Sequence, residues 1–453
     1  MAKTSSQDLG TQPIGKLLIK QAVPASIGIL VMSLNILVDT IFVGNWIGPT
    51  AIAAINVVLP VSFFIAALGM AIGIGGSSII SRALGGDKTE KAFKTFGNQI
   101  TLTLLFTITM VGFGLYYVDS IIPAFGGKGA IFEPAKIYYV IVLYGVPFLG
   151  LCMMGNTVIR AEGKPKFAMY AMMIPSVGNL VLDYVFINLL DYGMAGAAWA
   201  STISYVLCFG FVLWFFVSKN SELRIKLSDF ILHKKVVSEI GSLGVVTLSR
   251  QAVVSITYLF MNNILYDLGG ETSVTAYAIV GRMLMFALFP VFGITQAFLP
   301  IAGFNYGASQ FSRLREVINT ALKYAIILAS IIFVLLMVFP ESITRLFTQD
   351  PDVLKETPSA MRWVFAATPI IAFQLIGAAY FQAIGKAVPA LFLTLTRQGF
   401  FFIPLILILP YFYGELGVWM SFPISDVLST IVTAYFLNKE VKSTLIVAPE
   451  EKQ

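Results

Sequence analysis
An all-α, polytopic membrane fold of twelve transmembrane helices in two pseudo-symmetric six-helix bundles is what this sequence predicts, and three observations carry the prediction. Hydrophobic residues make up 57% of the 453 and charged residues only 12%, with a mean hydropathy of +0.83, a usage far outside that of soluble domains. Apolar runs of about 20 residues, long enough to cross roughly 30 Å of hydrocarbon, recur twelve times. The second half of the chain also repeats the first at one nearly constant offset.

The runs fall near 17–43, 51–78, 97–117, 133–157, 167–190 and 194–217, then 238–266, 272–298, 316–339, 359–383, 387–411 and 415–437. Placing the N-terminus inside puts most Lys and Arg on the cytoplasmic side and leaves short external loops such as 45–50 and 191–193 with none. By the positive-inside rule both termini are then cytoplasmic. The first twelve residues, Met1–Gln12, contain no apolar h-region, so no cleavable signal is expected.

The repeat is read from loops. At an offset of 222, Gly48, Thr50 and Ala54 meet Gly270, Thr272 and Ala276, and Gly85 and Lys91 meet Gly307 and Arg313. Ala161, Gly163, Lys164 and Ala168 meet Ala383, Gly385, Lys386 and Ala390. One residue less, 221, matches Gly193 and Gly196 with Gly414 and Gly417. Six spans separate the copies, so the halves share one orientation, related by an axis near the membrane normal. The expected division is a bundle at 1–217 carrying the cation site, a cytoplasmic linker at 218–236, and a second bundle with its tail at 237–453. The last seven residues, Val447–Gln453, are expected to be disordered.

Several function classes are excluded. The net charge of +6 comes without a basic cluster interleaved with aromatics, so nucleic acid is not a partner; the lipid bilayer is. The turn Arg82-Ala83-Leu84-Gly85-Gly86 lacks the Lys-Ser/Thr ending of a phosphate loop, and no acidic Mg²⁺ motif marks an enzyme. Cys152 and Cys208 lie inside apolar runs and are not expected to form a disulfide, and His233 sits in a polar linker as a solvated residue. No cofactor and no bound metal are expected.

What remains is intramembrane charge, which is costly in lipid and marks function by default. The fifth run contains Pro175, Asn179 and Asp183 at i, i+4 and i+8, one helix face. Pro175 has no N–H for the carbonyl of Ala171 and is expected to kink the helix. The first run carries the matching pair Asn35 and Asp39. Depth along the helices lets Ser201 and Thr202 of the sixth run, and Tyr138 or Tyr139 of the fourth, join them. Two carboxyls in one poorly hydrated cavity raise each other's proton affinity, which suits uptake and release of H⁺; the same oxygens would also hold Na⁺. Under the offset, Asp39 meets Met261 and Asp183 meets Leu405, so the acidic site belongs to the first half alone. Arg397 and Asp426 are expected to pair as a buried salt bridge. Arg250 and Arg282, with Met153, Met173 and Met285, are weaker candidates for a substrate cleft, since methionine surfaces repack around varied ligands.

These residues resemble the multidrug and toxic compound extrusion (MATE) family, over nearly the whole chain. The resemblance rests on Ile19-Lys20-Gln21-Ala22-Val23-Pro24-Ala25-Ser26-Ile27-Gly28, Val38-Asp39-Thr40-Ile41-Phe42-Val43-Gly44 and Ile159-Arg160-Ala161-Glu162-Gly163-Lys164-Pro165. It adds Asn179-Leu180-Val181-Leu182-Asp183 and Gly193-Met194-Ala195-Gly196-Ala197-Ala198-Trp199-Ala200-Ser201. It implies a V-shaped pair of six-helix bundles in the bacterial cytoplasmic membrane that exports small amphipathic or cationic compounds by cation-coupled antiport, as a monomer. The DinF-like branch is the most similar: its first-bundle aspartates match Asp39 and Asp183, its Asn matches Asn179, its Thr is Ser201 here, and its tyrosine matches Tyr138. The NorM-like branch has acids in spans seven, eight and ten, where the runs here have none internally.

Overall fold
The computed structural model describes residues 6–446, so the tail expected to be disordered lies outside the described residues. In lipid every backbone polar group must be satisfied within its own helix, and each apolar run is helical: α1 (Ile14–Trp46), α2 (Pro49–Gly85), α3 (Thr89–Tyr116), α4 (Phe132–Ala161), α5 (Pro165–Asp183) and α6 (Gly193–Val217). A 74-residue helical run, Lys234–Gly307, is divided at Gly270, whose backbone is non-helical, into α7 (234–269) and α8 (271–307). Then come α9 (Phe311–Val338), α10 in two segments bent by 46° (Pro351–Phe365 and Thr368–Ala383), α11 (Ala387–Tyr413) and α12 (Glu415–Glu440). Among the described residues that makes twelve membrane-length helices. Several overrun their apolar runs, because a run marks the hydrocarbon depth while the helix continues into water.

The repeat is visible in the backbone. Left-handed φ values fall at Gly48 and Gly270, Asp87 and Ser309, Gly163 and Gly385, and Gly193 and Gly414, four pairs at the offset read from the sequence. Glycine is kept where a Cβ would oppose φ > 0. Gly196 and Gly417 have a different reason: a Cβ there would sit 2.9 Å from Phe186 O and 2.4 Å from Leu409 O. The preceding hairpin folds back so tightly that only hydrogen fits.

Two compact units form. Among the described residues, unit 1 holds those from Ser6 to Asp8 and Ile27–Thr247, and unit 2 holds Leu9–Ser26 and those from Leu248 onward. The sequence halves 1–217 and 237–453 are thus regrouped: the first part of α1 belongs with unit 2 and the first part of α7 with unit 1. The two switches, at Ser26/Ile27 and Thr247/Leu248, lie at equivalent places in the repeat. Unit 1 packs around Val43, Ala54, Val58, Ile65, Tyr139 and Val146. Unit 2 packs around Met261, Leu265, Val280, Phe365, Ile406 and Trp419.

Polar contacts hold each borrowed half-helix. In unit 1, Glu239 near the start of α7 accepts from Arg82 of α2 at 2.9 Å and pairs with Lys91 of α3 at 3.0 Å. In unit 2, Asn305 Nδ2 donates to Leu9 O at 3.0 Å, and Arg313, the counterpart of Lys91, donates to Gln12 O. The linker also docks on unit 1. Buried Asn98 donates to Asp229 O and Ile231 O, both at 3.0 Å, and accepts from His233 N at 2.8 Å, while the His233 side chain stays exposed.

Glu162, in the turn between α4 and α5, is fully buried and accepts from Ser221 Oγ at 2.7 Å and from the N–H groups of Glu222 and Leu223. Loss of water pushes its carboxyl up to about 7, outweighing those donors. A carboxyl whose folded value exceeds its free value of 4.5 binds its proton more tightly when docked. Its contribution to linker docking is therefore whole below that free value, declines as pH rises, and is gone once pH passes about 7, a change of at most about 3 kcal/mol. Protease cleavage within 218–235 is expected to rise between about pH 5 and pH 8 in the wild type and to stay flat in Glu162→Gln. Equal pH dependence in both proteins would refute this.

Candidate functional site
α5 supplies one wall of the site. Its helix runs through Pro175, and the Ala171 carbonyl that the proline leaves without an N–H accepts from Cys208 Sγ of α6 at 3.1 Å. Cys152 and Cys208 are both buried free thiols; Cys208 thereby completes the backbone of α5. At Asp183 the α-helix ends and a π-helix, Tyr184–Leu189, begins. Such wide turns concentrate at functional positions.

The polar face of α5 meets α1. Asn35 Nδ2 donates to Asn179 Oδ1 at 2.9 Å and to Ser176 O at 3.2 Å. Asn179 Nδ2 donates in turn to Ser201 Oγ of α6 at 3.4 Å, and the Tyr138 hydroxyl of α4 is in hydrogen-bonding reach of Ser201. One turn further along α1, Asp39 lies within hydrogen-bonding reach of Asp183. Asp183 is fully buried, and neither of its carboxyl oxygens has a donor. Four helices of unit 1 thus place two acids, two amides, a hydroxyl and a phenol in one cluster. Two carboxylates in contact without a donor repel each other; a shared proton or a cation coordinated by both removes that repulsion.

Not every residue expected here converges. Thr202 Oγ1 is used on Ile141 O of α4, at 3.0 Å, and ties α6 to α4. Tyr139 is a fully buried core residue. Tyr205, absent from the sequence reading, faces Asp39 and Cys152; its place four residues after Ser201, on the same helix face, was the available signal. In unit 2, the Asp39 counterpart Met261 is fully buried in the core. Arg397 Nε donates to Asp426 Oδ1 at 2.6 Å, and Arg397 lies on a π-helical stretch of α11, Thr396–Phe402. Arg250 is half-buried, Arg282 and Met285 are exposed, and Met153 and Met173 are partly buried. Span ten has no acid within its apolar run, 359–383, but α10 begins at Pro351, eight residues before that run, and Glu356 stands in its second turn.

Two repeated helical units, the first holding two adjacent carboxyls, Asp39 and Asp183, inside a membrane-length bundle, define an α-helical membrane transporter. The MatE family model matches twice, over residues 24–185 and 248–408, once in each repeat, and the chain belongs to that family. Curated relatives include the multidrug export protein MepA of Staphylococcus haemolyticus, 24% identical over 96% of this chain and 95% of its own length. Another is a FAD transporter of Shewanella oneidensis, 22% identical over 94% and 95%. Among solved structures, a MATE protein in the bent conformation superposes with a TM-score of 0.92 at 28% identity, covering 98% of this chain and 99% of that one. A transporter of the MOP superfamily from Pyrococcus furiosus, described as having a binding pocket of reverse polarity, gives 0.91 at 27% identity over 98% and 99%.

Proposed function
We propose that this protein is a multidrug exporter driven by antiport of a cation, H⁺ or Na⁺, that binds between Asp39 and Asp183. The observation that carries the reading is the buried Asp183 carboxyl with no donor on either oxygen and a second carboxyl beside it. Such a site needs a cation in one state and releases it in another, and a cation that binds two conformations unequally shifts the balance between them. Kinship with a multidrug export protein supports drug export, and the family resemblance implies amphipathic, often cationic compounds as the cargo. In this reading the coupling site lies in the first repeat, within unit 1.

The test is transport in proteoliposomes with a proton gradient or a sodium gradient imposed separately. Export under at least one gradient is expected, and none under either would remove cation coupling. A second reading has one specific support: kinship to a FAD transporter over 94% of the chain. An endogenous anionic metabolite as cargo would use Arg250 and Arg282, and Arg250→Gln would then abolish metabolite export while leaving drug export intact.

A further inference from the structure
Unit 2 carries a carboxyl pair of its own, far in sequence from the residues above. Glu356 of α10 is in hydrogen-bonding reach of Glu415, the first residue of α12, and of Ser273 in the first turn of α8. Glu415 Oε1 accepts from Trp419 Nε1 at 3.1 Å. Ser273 is fully buried and its hydroxyl has no partner; Glu356 Oε1 is likewise buried without a donor. Gly269 leaves the room these groups occupy: a Cβ there would lie 1.8 Å from Ser273 Oγ and 3.2 Å from Glu415 Oε2. The three helix ends meet on the side that the Lys/Arg asymmetry assigns to the outside.

The repeat argues that this is not scaffold. The positions in the first half that correspond to Ser273, Glu356 and Glu415 are Ala51, Pro134 and Met194, none of which ionises. Ala51 and Met194 are buried in the apolar core of unit 1. A structural need common to both copies would be met alike in both.

The charges around the pair are few. Glu415 is the charged group that acts on Glu356. Asp352 and Lys355 on α10 and Glu271 on α8 are exposed to solvent, and the ring of Tyr277, one turn beyond Ser273, is tilted against that of Trp419 with centroids 6.4 Å apart. No cation of this chain is on hand to compensate two adjacent carboxylates, among the contacts described. One proton completes the set: an O–H on Glu356 donates to Glu415, Ser273 donates to the remaining oxygen, and Trp419 holds the far side of Glu415.

We propose that Glu356 and Glu415 are a second proton-binding site, which takes one proton from the aqueous phase at that face and ties the ends of α8, α10 and α12 together. Hydronium gives up the proton and an O–H bond forms on the pair; no other bond changes. Deprotonation leaves two carboxylates in contact and pushes the first turn of α12 from α10. The site is independent of the Asp39–Asp183 reading.

The experiment uses the full chain in lipid nanodiscs, with Asp39→Asn/Asp183→Asn/Glu162→Gln as background so that the other pair and the buried carboxyl of the linker dock are silent. Infrared difference spectra across a pH titration should show a carboxylic-acid band and uptake of about one proton per chain. Both should vanish in Glu356→Gln and in Glu415→Gln, while Gly269→Ala, whose methyl presses on Ser273 and Glu415, should shift the titration. A band that survives both glutamine variants overturns the proposal, as does its displacement by Na⁺ or Ca²⁺ at constant pH, which would make the site a metal site. Either glutamine variant that reaches the membrane in wild-type amount suffices.

Discussion

Asp183→Asn is expected to reach the membrane in wild-type amount and to resist thermal unfolding at least as well as the wild type, yet to confer no drug resistance. The carboxamide has the same shape, so the packing of α5 against α1 and α6 is preserved. Its NH₂ supplies a donor where the wild-type carboxyl has none, and it points that donor at Asp39. Burying an oxygen without a donor is costly, and the variant removes that cost permanently. The pair is then fixed in an arrangement equivalent to the cation-loaded one, with no means of release. Asp39→Asn is expected to do the same from the α1 side. Tyr138→Phe or Ser201→Ala should weaken export without abolishing it, since each removes one link from a chain that runs Asn35, Asn179, Ser201, Tyr138. Accumulation of a fluorescent substrate in cells, beside membrane abundance and a melting curve for each variant, makes the check. Wild-type export by both aspartate variants would discard the site.

How much of this was legible in the sequence depends on the physics involved. Lipid admits helices almost alone, so apolar runs gave the spans, and glycines at φ > 0 cannot be replaced cheaply, so Gly48/Gly270, Gly163/Gly385 and Gly193/Gly414 kept the repeat readable. The acids of unit 1 stood out because a carboxylate is rare in an apolar run. Hydroxyls gave no such contrast: Ser201 and Thr202 are adjacent, and only the rotation of α6 decides that one faces Asn179 and the other the Ile141 carbonyl. Cys208 was unreadable for a related reason, since its partner is a carbonyl freed by a proline on another helix. The exchange of half-helices between units is a tertiary choice that leaves no local pattern. Glu356 was lost at a boundary: helix α10 starts in polar sequence, with Asp350 capping it by accepting from Asp352 N at 2.9 Å and Val353 N at 3.3 Å, while hydropathy marks a later beginning.

Arg397→Met is expected to destabilise unit 2 by about 3–5 kcal/mol, the usual result of stranding one partner of a buried pair. The wild-type bridge is tight, 2.6 Å between Arg397 Nε and Asp426 Oδ1, with the side chains only 15% and 3% exposed. Its surroundings are already committed: Ser425 Oγ donates to the Arg397 carbonyl at 2.6 Å and Ser429 Oγ to the Asp426 carbonyl at 3.1 Å. Asp426 Oδ2 has no partner even with arginine present, so without it the carboxyl must either take a proton or pull α12 toward water. Replacing both residues, Arg397→Met with Asp426→Leu, leaves nothing charged and is expected to recover most of the loss. Thermal unfolding in detergent micelles measures the three proteins side by side. A double variant that is as unstable as the single one would show that the bridge contributes more than mutual neutralisation. The same double variant separates structure from transport: if it is stable and exports at the wild-type rate, the pair only fastens α11 to α12 at the π-helical stretch. If it is stable and inactive, charge at that stretch takes part in the transport cycle, and the second bundle is more than a scaffold for the first.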